Sequence, residues 1–236
     1  MFRCFCILLT LMCSLPALAK TPTLLEHAAG DIESSFADYP MLILVSGVIA
    51  TSLTLPLDDN VENYLSNHRI SKKMDDTAHW IGHPYILGPA SVIVYGTSLL
   101  GHNEHFQLIS ETMVEALIFN SVMTEGLKYG LNRQRPNGGH YSFPSGHTST
   151  AFTIASVLQS FEGWKIGVPA FAVASFIGFT RLDGNYHHIS DVVFGAALGS
   201  CIGLGSSLFH RNENTRLLIS PILDQTRGIM LSYKFQ

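Results

Sequence analysis

Charged side chains are scarce in this sequence of 236 residues. Aspartate, glutamate, lysine and arginine together make up 14% of the chain, and hydrophobic residues make up 47%. In an average soluble domain, charged residues contribute about a quarter. With so little surface to solvate, the structural elements must pack against one another, against lipid, or against both. The few basic residues form no stripe, which argues against a nucleic-acid partner.

Cysteine is nearly absent outside the first 19 residues, which hold three of the four cysteines. That segment has the pattern of a secretory signal peptide. Arg3 precedes an apolar run, and the small-x-small tripeptide at 17–19 ends it. We expect cleavage before Lys20, and an uncleaved anchor helix is the alternative. Cleavage would leave Cys201 alone and exclude an intrachain disulfide.

Long apolar stretches alternate with polar connectors over the rest of the chain. They are longer than typical strands and therefore predict helices. The six predicted helices span residues 41–57, 85–100, 108–131, 146–160, 165–181 and 189–209. The sequence thus predicts an all-α, six-helix domain over residues 41–210, preceded by a polar lead-in at 20–40. A short amphipathic helix is expected in the polar connector at 57–76.

The tail, residues 211–236, has a different pattern. Two short segments rich in isoleucine, leucine and aromatic residues flank a stretch of turn-forming residues. This arrangement predicts a short C-terminal β-hairpin.

Three polar patches lie at the ends of predicted helices. Residues 128–136 follow the third helix, 143–150 begin the fourth, and 180–191 join the fifth to the sixth. In an antiparallel bundle with short loops, these ends lie on one side. We therefore expect their chemistry-bearing side chains to meet at one mouth: Lys128, Arg135, His147, Arg181, His187, His188 and Asp191.

Each patch alone also has a simple structural explanation: a basic helix end, a capped helix start, and a polar loop. Together they offer three cations and a helix N-terminus, which suit the oxygens of a phosphoryl group. Two histidines and one carboxylate add groups for nucleophilic and acid–base chemistry. Because His187 and His188 both lie within one helical turn of Asp191, the spacing leaves open which histidine reacts.

The order and spacing of these residues resemble the type 2 phosphatidic acid phosphatase (PAP2) superfamily. This superfamily also includes bacterial class A acid phosphatases and vanadium haloperoxidases. The matching segments are Lys-x6-Arg-Pro from Lys128, Pro-Ser-Gly-His from Pro144, and Arg-x5-His-x3-Asp from Arg181. The resemblance covers about residues 120–200. Thr180 stands where the family often has serine, and the gap between the first two motifs is short.

The resemblance implies a two-step phosphoryl transfer without a metal or another cofactor. His187 would attack phosphorus and form a phosphohistidine, and Asp191 would accept a hydrogen bond from its other ring nitrogen. His147 would protonate the leaving oxygen and then activate water. The family pattern thus selects His187 over His188. The residues implied to bind the phosphoryl oxygens are Lys128, Arg135, Ser145, Gly146 and Arg181.

The implied function is hydrolysis of a phosphate monoester or diphosphate, and the apolar composition favours a lipid substrate. Phosphatidic acid, phosphatidylglycerophosphate, an isoprenyl diphosphate and a lipid A phosphate all fit this description. A soluble periplasmic acid phosphatase without substrate specificity is the main alternative. A vanadium-dependent haloperoxidase is a weaker one, because those enzymes are generally longer. The sequence predicts no particular oligomeric state.

The predicted location is the periplasmic side of a membrane. Most apolar stretches hold about 15–18 residues, fewer than the roughly 20 that span a bilayer. If the signal is cleaved, the mature chain begins outside the cytoplasm, and three spanning helices would place the loop after the third helix in the cytoplasm. That loop holds part of the predicted site, and a cytoplasmic site does not fit an exported protein. We therefore expect an exported helical domain that docks on a membrane, with an integral inner-membrane bundle as the alternative.

Overall fold

The computed structural model describes residues 24–69, 77–78, 80–212, 216–222 and 228–234. The predicted signal peptide at 1–19 lies outside these residues. The described part of the chain contains the α-helices α1 (Leu24–Ser35), α2 (Asp38–Thr54), α3 (Asp58–Asn67), α4 (Pro84–Ser98), α5 (Glu104–Leu131), α6 (Gly146–Glu162), α7 (Trp164–Asp183) and α8 (Ile189–Asn212). A 3₁₀ turn, Leu55–Leu57, joins α2 to α3.

The all-α class is confirmed, and each of the six predicted helices is present, as α2 and α4 to α8. The short helix expected after the first of them is α3. The structure adds α1, which lies inside the predicted polar lead-in. This helix packs on α8, where the Cys201 thiol donates to the Ser35 carbonyl at 2.9 Å and Asp31 is 3% exposed. Because its contact face is polar, apolar periodicity gave no signal for it.

Local sequence signals determine where the site-forming helices begin and end. Asn103 caps α5 by accepting a hydrogen bond from the backbone N–H of Phe106 at 3.1 Å. Asn132 ends the same helix in the left-handed region at φ 41°. Gly163, at φ 72°, separates α6 from α7 in a conformation that favours glycine. Because α5 ends at Leu131 and α6 begins at Gly146, both ends of the loop at 132–145 lie on the same side of the bundle.

Helix α8 lies at the centre of the bundle and packs closely on α6. Gly195, Gly199 and Gly203 form a stripe at four-residue spacing that faces the backbone of α6. A β-carbon at Gly203 would lie 2.5 Å from the Thr153 carbonyl oxygen, so only glycine permits this approach. The contact continues to the start of both helices, where the Ser145 N–H donates to the Asp191 carbonyl at 3.1 Å.

The outer surface of the bundle is strongly apolar. Within the residues that the structure describes, three helical segments are long and apolar enough to cross a membrane: Asp38–Asn67, Trp164–Asp183 and Ile189–Arg211. On α2, Leu42, Ile49 and Leu53 are each more than half exposed, at 64%, 57% and 71%. The expectation that the stretches are too short to span is wrong for these three segments. The first is longer than predicted because the helical path continues through the 3₁₀ turn into α3.

The tail contains two paired strands at the position of the predicted hairpin. Strands β1 (Arg216–Ile222) and β2 (Gly228–Lys234) are antiparallel, with Ile219 opposite Leu231 at the centre of the register. The two apolar segments that flank the turn-forming residues in the sequence thus pair as strands.

Candidate active site

The helix ends on one side of the bundle enclose a pocket of about 360 Å³. Its walls come from the beginnings of α4 and α6, the ends of α5 and α7, and the loops between them. Six of the predicted residues line it: Lys128, Arg135, Gly146, His147, Arg181 and His187. All three polar patches therefore contribute residues to one pocket, as expected. Ser145, Asp191 and His188 are not among the lining residues.

His187 is buried, with 4% of its surface exposed, and one ring nitrogen is held by the backbone. Its Nδ1 lies 2.7 Å from the carbonyl oxygen of Ser142. Because a carbonyl oxygen only accepts, Nδ1 carries the proton and Nε2 has the lone pair. Burial lowers the pKa of His187, and the positive charges of Arg135 and Lys128 lower it further, while Asp191 opposes the shift. Burial and the two nearby cations thus favour the neutral form of the ring.

Asp191 does not accept a hydrogen bond from His187 in this structure, contrary to the expectation from the resemblance. Its Oδ2 is 3.8 Å from Nδ1, which is ion-pair distance. The same oxygen accepts from the Ser142 hydroxyl at 2.5 Å and from the backbone N–H of His188 at 2.9 Å. Asp191 thus positions His187 chiefly through Ser142. Its carboxylate accepts from the Ser142 hydroxyl, and the Ser142 carbonyl accepts from the His187 ring.

A buried ion-pair network supports Asp191 from behind. The Arg133 guanidinium donates to Asp191 Oδ1 at 2.5 Å and to Asp58 Oδ2 at 2.6 Å. Asp58 also accepts from Ser190, through the backbone N–H at 3.0 Å and the hydroxyl at 2.7 Å. The network therefore joins the first residue of α3 to the beginning of α8 and to the loop after α5.

Sequence reasoning missed this network. Arg133 lies inside the first patch, but nothing there distinguishes it from its neighbours. Asp58 is 75 positions from Arg133 and 132 from Ser190, and local spacing cannot pair residues so far apart. The available signal was the acidic start of the predicted amphipathic helix, which alone indicates helix capping rather than a site.

The three predicted cations approach the pocket from different elements. Arg181 is almost fully buried. Its guanidinium donates a hydrogen bond to the Thr180 hydroxyl oxygen at 3.0 Å and lies 5.2 Å from the centre of the Tyr186 ring. The hydroxyl that Thr180 keeps in place of serine is thus in contact with Arg181. Arg135 donates to the carbonyl of His140 at 2.9 Å. Both guanidinium groups are thus held by contacts within the chain, and both line the pocket.

Lys128 and Gly146 form a close contact at the start of α6. The Lys128 ammonium lies 3.1 Å from Glu125 Oε1 and would be 3.2 Å from a β-carbon at residue 146. The glycine thus makes room for the ammonium beside the helix N-terminus, where backbone N–H groups attract anions. Ser145 is fully buried, and its hydroxyl accepts from Thr148 at 2.9 Å. It lies behind the pocket wall.

Two histidines face each other across another part of the pocket. The rings of His83 and His147 are 5.1 Å apart between centroids and meet edge to face. His83 caps α4, where its Nδ1 accepts from the Tyr85 N–H at 3.3 Å. Sequence reasoning did not single out His83, because it lies outside the three patches.

His188 points away from the pocket that His187 lines. Its Nε2 is 3.2 Å from the carbonyl of Gln134, and its Nδ1 is 3.7 Å from Glu62 Oε2. The adjacent histidines thus occupy different environments, and of the two only His187 lines the pocket.

A family model described as the PAP2 superfamily matches residues 112–215 of this chain. Residues 112–215 belong to the PAP2 superfamily. The matched range contains the six pocket-lining residues predicted from the sequence, together with Arg133 and Asp191.

Two curated relatives illustrate the range of similarity to this chain. Lipid A 1-phosphatase of Porphyromonas gingivalis is 32% identical over 164 residues, which are 66% of this chain and 35% of that protein. Lipid phosphate phosphatase 1 of Arabidopsis thaliana is 27% identical over 131 residues, which are 37% of this chain and 40% of that protein. The chain thus spans two fifths or less of the length of these relatives.

Two solved structures have a similar PAP2 fold. The first transmembrane PAP2 type phosphatidylglycerolphosphate phosphatase from Bacillus subtilis superposes with a TM-score of 0.61 at 17% identity, covering 73% of this chain and 96% of that one. Aquifex aeolicus LpxE superposes with a TM-score of 0.52 at 26% identity, covering 64% and 94%. Both cover most of a solved chain, so the helical core is shared.

Proposed function

We propose that this PAP2 chain is a phosphatase that hydrolyses the phosphate ester or diphosphate of a lipid through a phosphohistidine on His187. The observation that supports the proposal best is the environment of that ring. It is buried, its Nδ1 is held by the Ser142 carbonyl, and it lines a pocket with three cationic side chains. This combination provides a nucleophile and the charge to stabilise a phosphoryl transition state.

In the proposed reaction, the lone pair on His187 Nε2 attacks phosphorus and the bond from phosphorus to the leaving oxygen breaks. Protonated His147 gives its proton to that oxygen. Neutral His147 then takes a proton from water, the oxygen of which attacks phosphorus and breaks the bond to Nε2. Lys128, Arg135 and Arg181 hold the phosphoryl oxygens throughout. Every step uses side chains of this chain, without a metal or another cofactor.

A lipid substrate is favoured by the surface around the pocket. At the start of α4, beside the mouth, Tyr85 is 78% exposed and Ile86 is 41% exposed. The apolar outer faces of α2 and α7 extend away from the same end. An amphiphile would place its phosphate in the pocket and its chains along this surface. The relatives named for lipid A and lipid phosphates support the same class, within which phosphatidic acid, phosphatidylglycerophosphate, isoprenyl diphosphates and lipid A remain candidates.

The test pairs the two adjacent histidines. We expect His187→Ala to abolish phosphate release, whereas His188→Ala, whose ring lies outside the pocket, should keep a measurable rate. Both are assayed on phosphatidic acid in mixed micelles and on p-nitrophenyl phosphate. Wild-type turnover by His187→Ala would refute the proposed nucleophile. Preference for the small ester would support the acid-phosphatase alternative, and bromide oxidation with vanadate and peroxide would support the haloperoxidase.

Inhibitor and chelator responses test the chemistry itself. Vanadate adopts the trigonal-bipyramidal geometry of the transition state, so we expect it to inhibit competitively. Initial rates should be unchanged by EDTA, because no step requires a metal ion. Loss of activity on chelation that added metal restores within the assay would contradict the proposed mechanism.

We also propose that the bundle is integral to a membrane, with its pocket on the periplasmic side. The three long apolar segments and their exposed faces support the first part. Because α8 runs from the pocket to the opposite end of the bundle, residues after Asn212 should then be cytoplasmic. A fluorescent protein fused to the C-terminus would fluoresce in this orientation, and alkaline phosphatase fused there would be inactive. The reverse result would place the pocket in the cytoplasm.

A further inference from the structure

A second cluster of polar side chains lies inside the bundle, away from the pocket. It consists of Asp31 on α1, Glu115 on α5 and His210 on α8, and one ligand atom of each lies within 4.8 Å of the others. His210 and Asp191 are 19 positions apart on α8. At about 1.5 Å per residue, roughly 28 Å separates this cluster from the network behind His187.

The cluster is buried but incompletely satisfied. Asp31 is 3% exposed and His210 is 4% exposed. His210 Nε2 lies 2.9 Å from Glu115 Oε2. Within the described residues, Asp31 Oδ1 has no hydrogen-bond partner. A buried carboxylate oxygen without a partner costs free energy, so a group that binds it is expected there.

Among the described residues, acidic side chains outnumber basic ones around this oxygen. Glu111 lies one helical turn before Glu115 on α5 and is also buried. Within the described part of the chain, this region thus holds the carboxyl groups of Asp31, Glu111 and Glu115 and the imidazole of His210. A bound cation would offset this excess.

We propose that Asp31, Glu115 and His210 bind a divalent transition-metal ion, for which Zn²⁺ is the best match. One imidazole nitrogen with two carboxylate oxygens suits zinc, whereas Mg²⁺ and Ca²⁺ prefer oxygen ligands throughout. The ion would link three helices and hold α1 against α5 and α8. Its role is structural, because it lies far from the pocket. The proposal does not depend on the proposed phosphatase activity.

The test measures Zn²⁺ binding by the full chain in detergent. Because the N-terminal cysteines could bind Zn²⁺ themselves, Cys4, Cys6 and Cys13 are first replaced by serine. After loading with Zn²⁺ and removal of the excess, we expect one ion per chain by elemental analysis. The unfolding temperature should rise with Zn²⁺ and fall with EDTA. A chain that retains no Zn²⁺ would overturn the proposal.

Two variants then locate the site. Asp31→Asn and His210→Gln should each weaken Zn²⁺ binding by at least about tenfold. Glu33→Gln, on an exposed position of the same helix, should bind like the parent. Unchanged affinity in both site variants would refute the ligand set. If they fail to fold, Co²⁺ bound to the parent protein gives a second test, since absorption bands of hexaaqua Co²⁺ alone would exclude a histidine-containing site.

One further variant separates this inference from the proposed function. His187→Ala should lose turnover and still bind Zn²⁺ with the affinity and stoichiometry of the parent. Loss of Zn²⁺ binding in this variant, with the fold intact, would contradict a metal site at the far end of α8.

Discussion

Replacement of Arg133 by methionine tests the ion-pair network that supports the candidate nucleophile. Methionine keeps an unbranched apolar stem and removes the guanidinium that contacts Asp58 and Asp191. Both carboxylates are at least 95% buried, at 4% and 0% exposure. The substitution therefore leaves two buried negative charges near each other without the cation between them.

The expected cost follows from that burial. Removal of one partner from a buried ion pair destabilises a protein by about 3–5 kcal/mol. The Arg133 side chain is itself 27% exposed, so water screens part of the interaction. We therefore expect the lower end, about 3 kcal/mol. Asp58→Asn in the Arg133→Met background removes one of the two carboxylate charges that lost the guanidinium. The free energy of unfolding should then recover by about 1 kcal/mol or more.

The assay is equilibrium unfolding in mixed detergent micelles, with phosphate release measured on the same preparations. Arg211→Met serves as the control, since Arg211 is exposed and donates to a carbonyl on the surface. Activity of Arg133→Met should fall with stability, because Asp191 would no longer hold Ser142 in place. A free energy of unfolding within about 0.5 kcal/mol of wild type, the usual range for surface changes, would refute the network's role.

Three further outcomes follow from the geometry. Burial lowers the pKa of His187, so its ring stays neutral in more acidic solution than a free histidine does. In a plot of kcat/KM against pH, the acidic limb should therefore have its midpoint below about pH 6.5. A midpoint at or above that pH would contradict the assignment. Gly146→Ala should displace the Lys128 ammonium and lower kcat/KM about tenfold with little change in unfolding temperature, and unchanged kinetics would count against the contact. Gly199→Ala should destabilise the bundle by about 1–3 kcal/mol by overpacking against α6. Gly126→Ala, where the new methyl meets open space, should not, and equal effects would argue against close packing.

Much of the fold and site followed from local patterns. Apolar stretches located the six main helices, and short loops between antiparallel helices explain why Lys128, Arg181 and His187 reach one pocket. Such patterns depend on neighbours in the chain, and the features they missed depend on distant ones. Helix α1 was missed because its contact with α8 is polar. The Asp58–Arg133 pair was missed because only the folded bundle brings these residues together.

The role of Asp191 shows a second limit. Its spacing from His187 correctly predicted proximity, and the two groups lie 3.8 Å apart. Which oxygen or carbonyl accepts the Nδ1 proton depends on the path of the loop at 142–145, which the spacing does not specify. The length of the first apolar helical segment was likewise underestimated, because the polar residues after Leu57 indicated a connector. A 3₁₀ turn at Leu55–Leu57 continues the helical path into α3.

The position of Asp58 also determines when the ion-pair network can form during synthesis of the chain. Its carboxylate leaves the ribosome 132 residues before Ser190 and meets Arg133 only when the loop after α5 has been made. Asp191 and His187 follow later still. A nascent chain that ends before α8 therefore holds Asp58 and Arg133 but lacks Ser190 and Asp191. Synthesis of α8 is thus the step that completes the charge network.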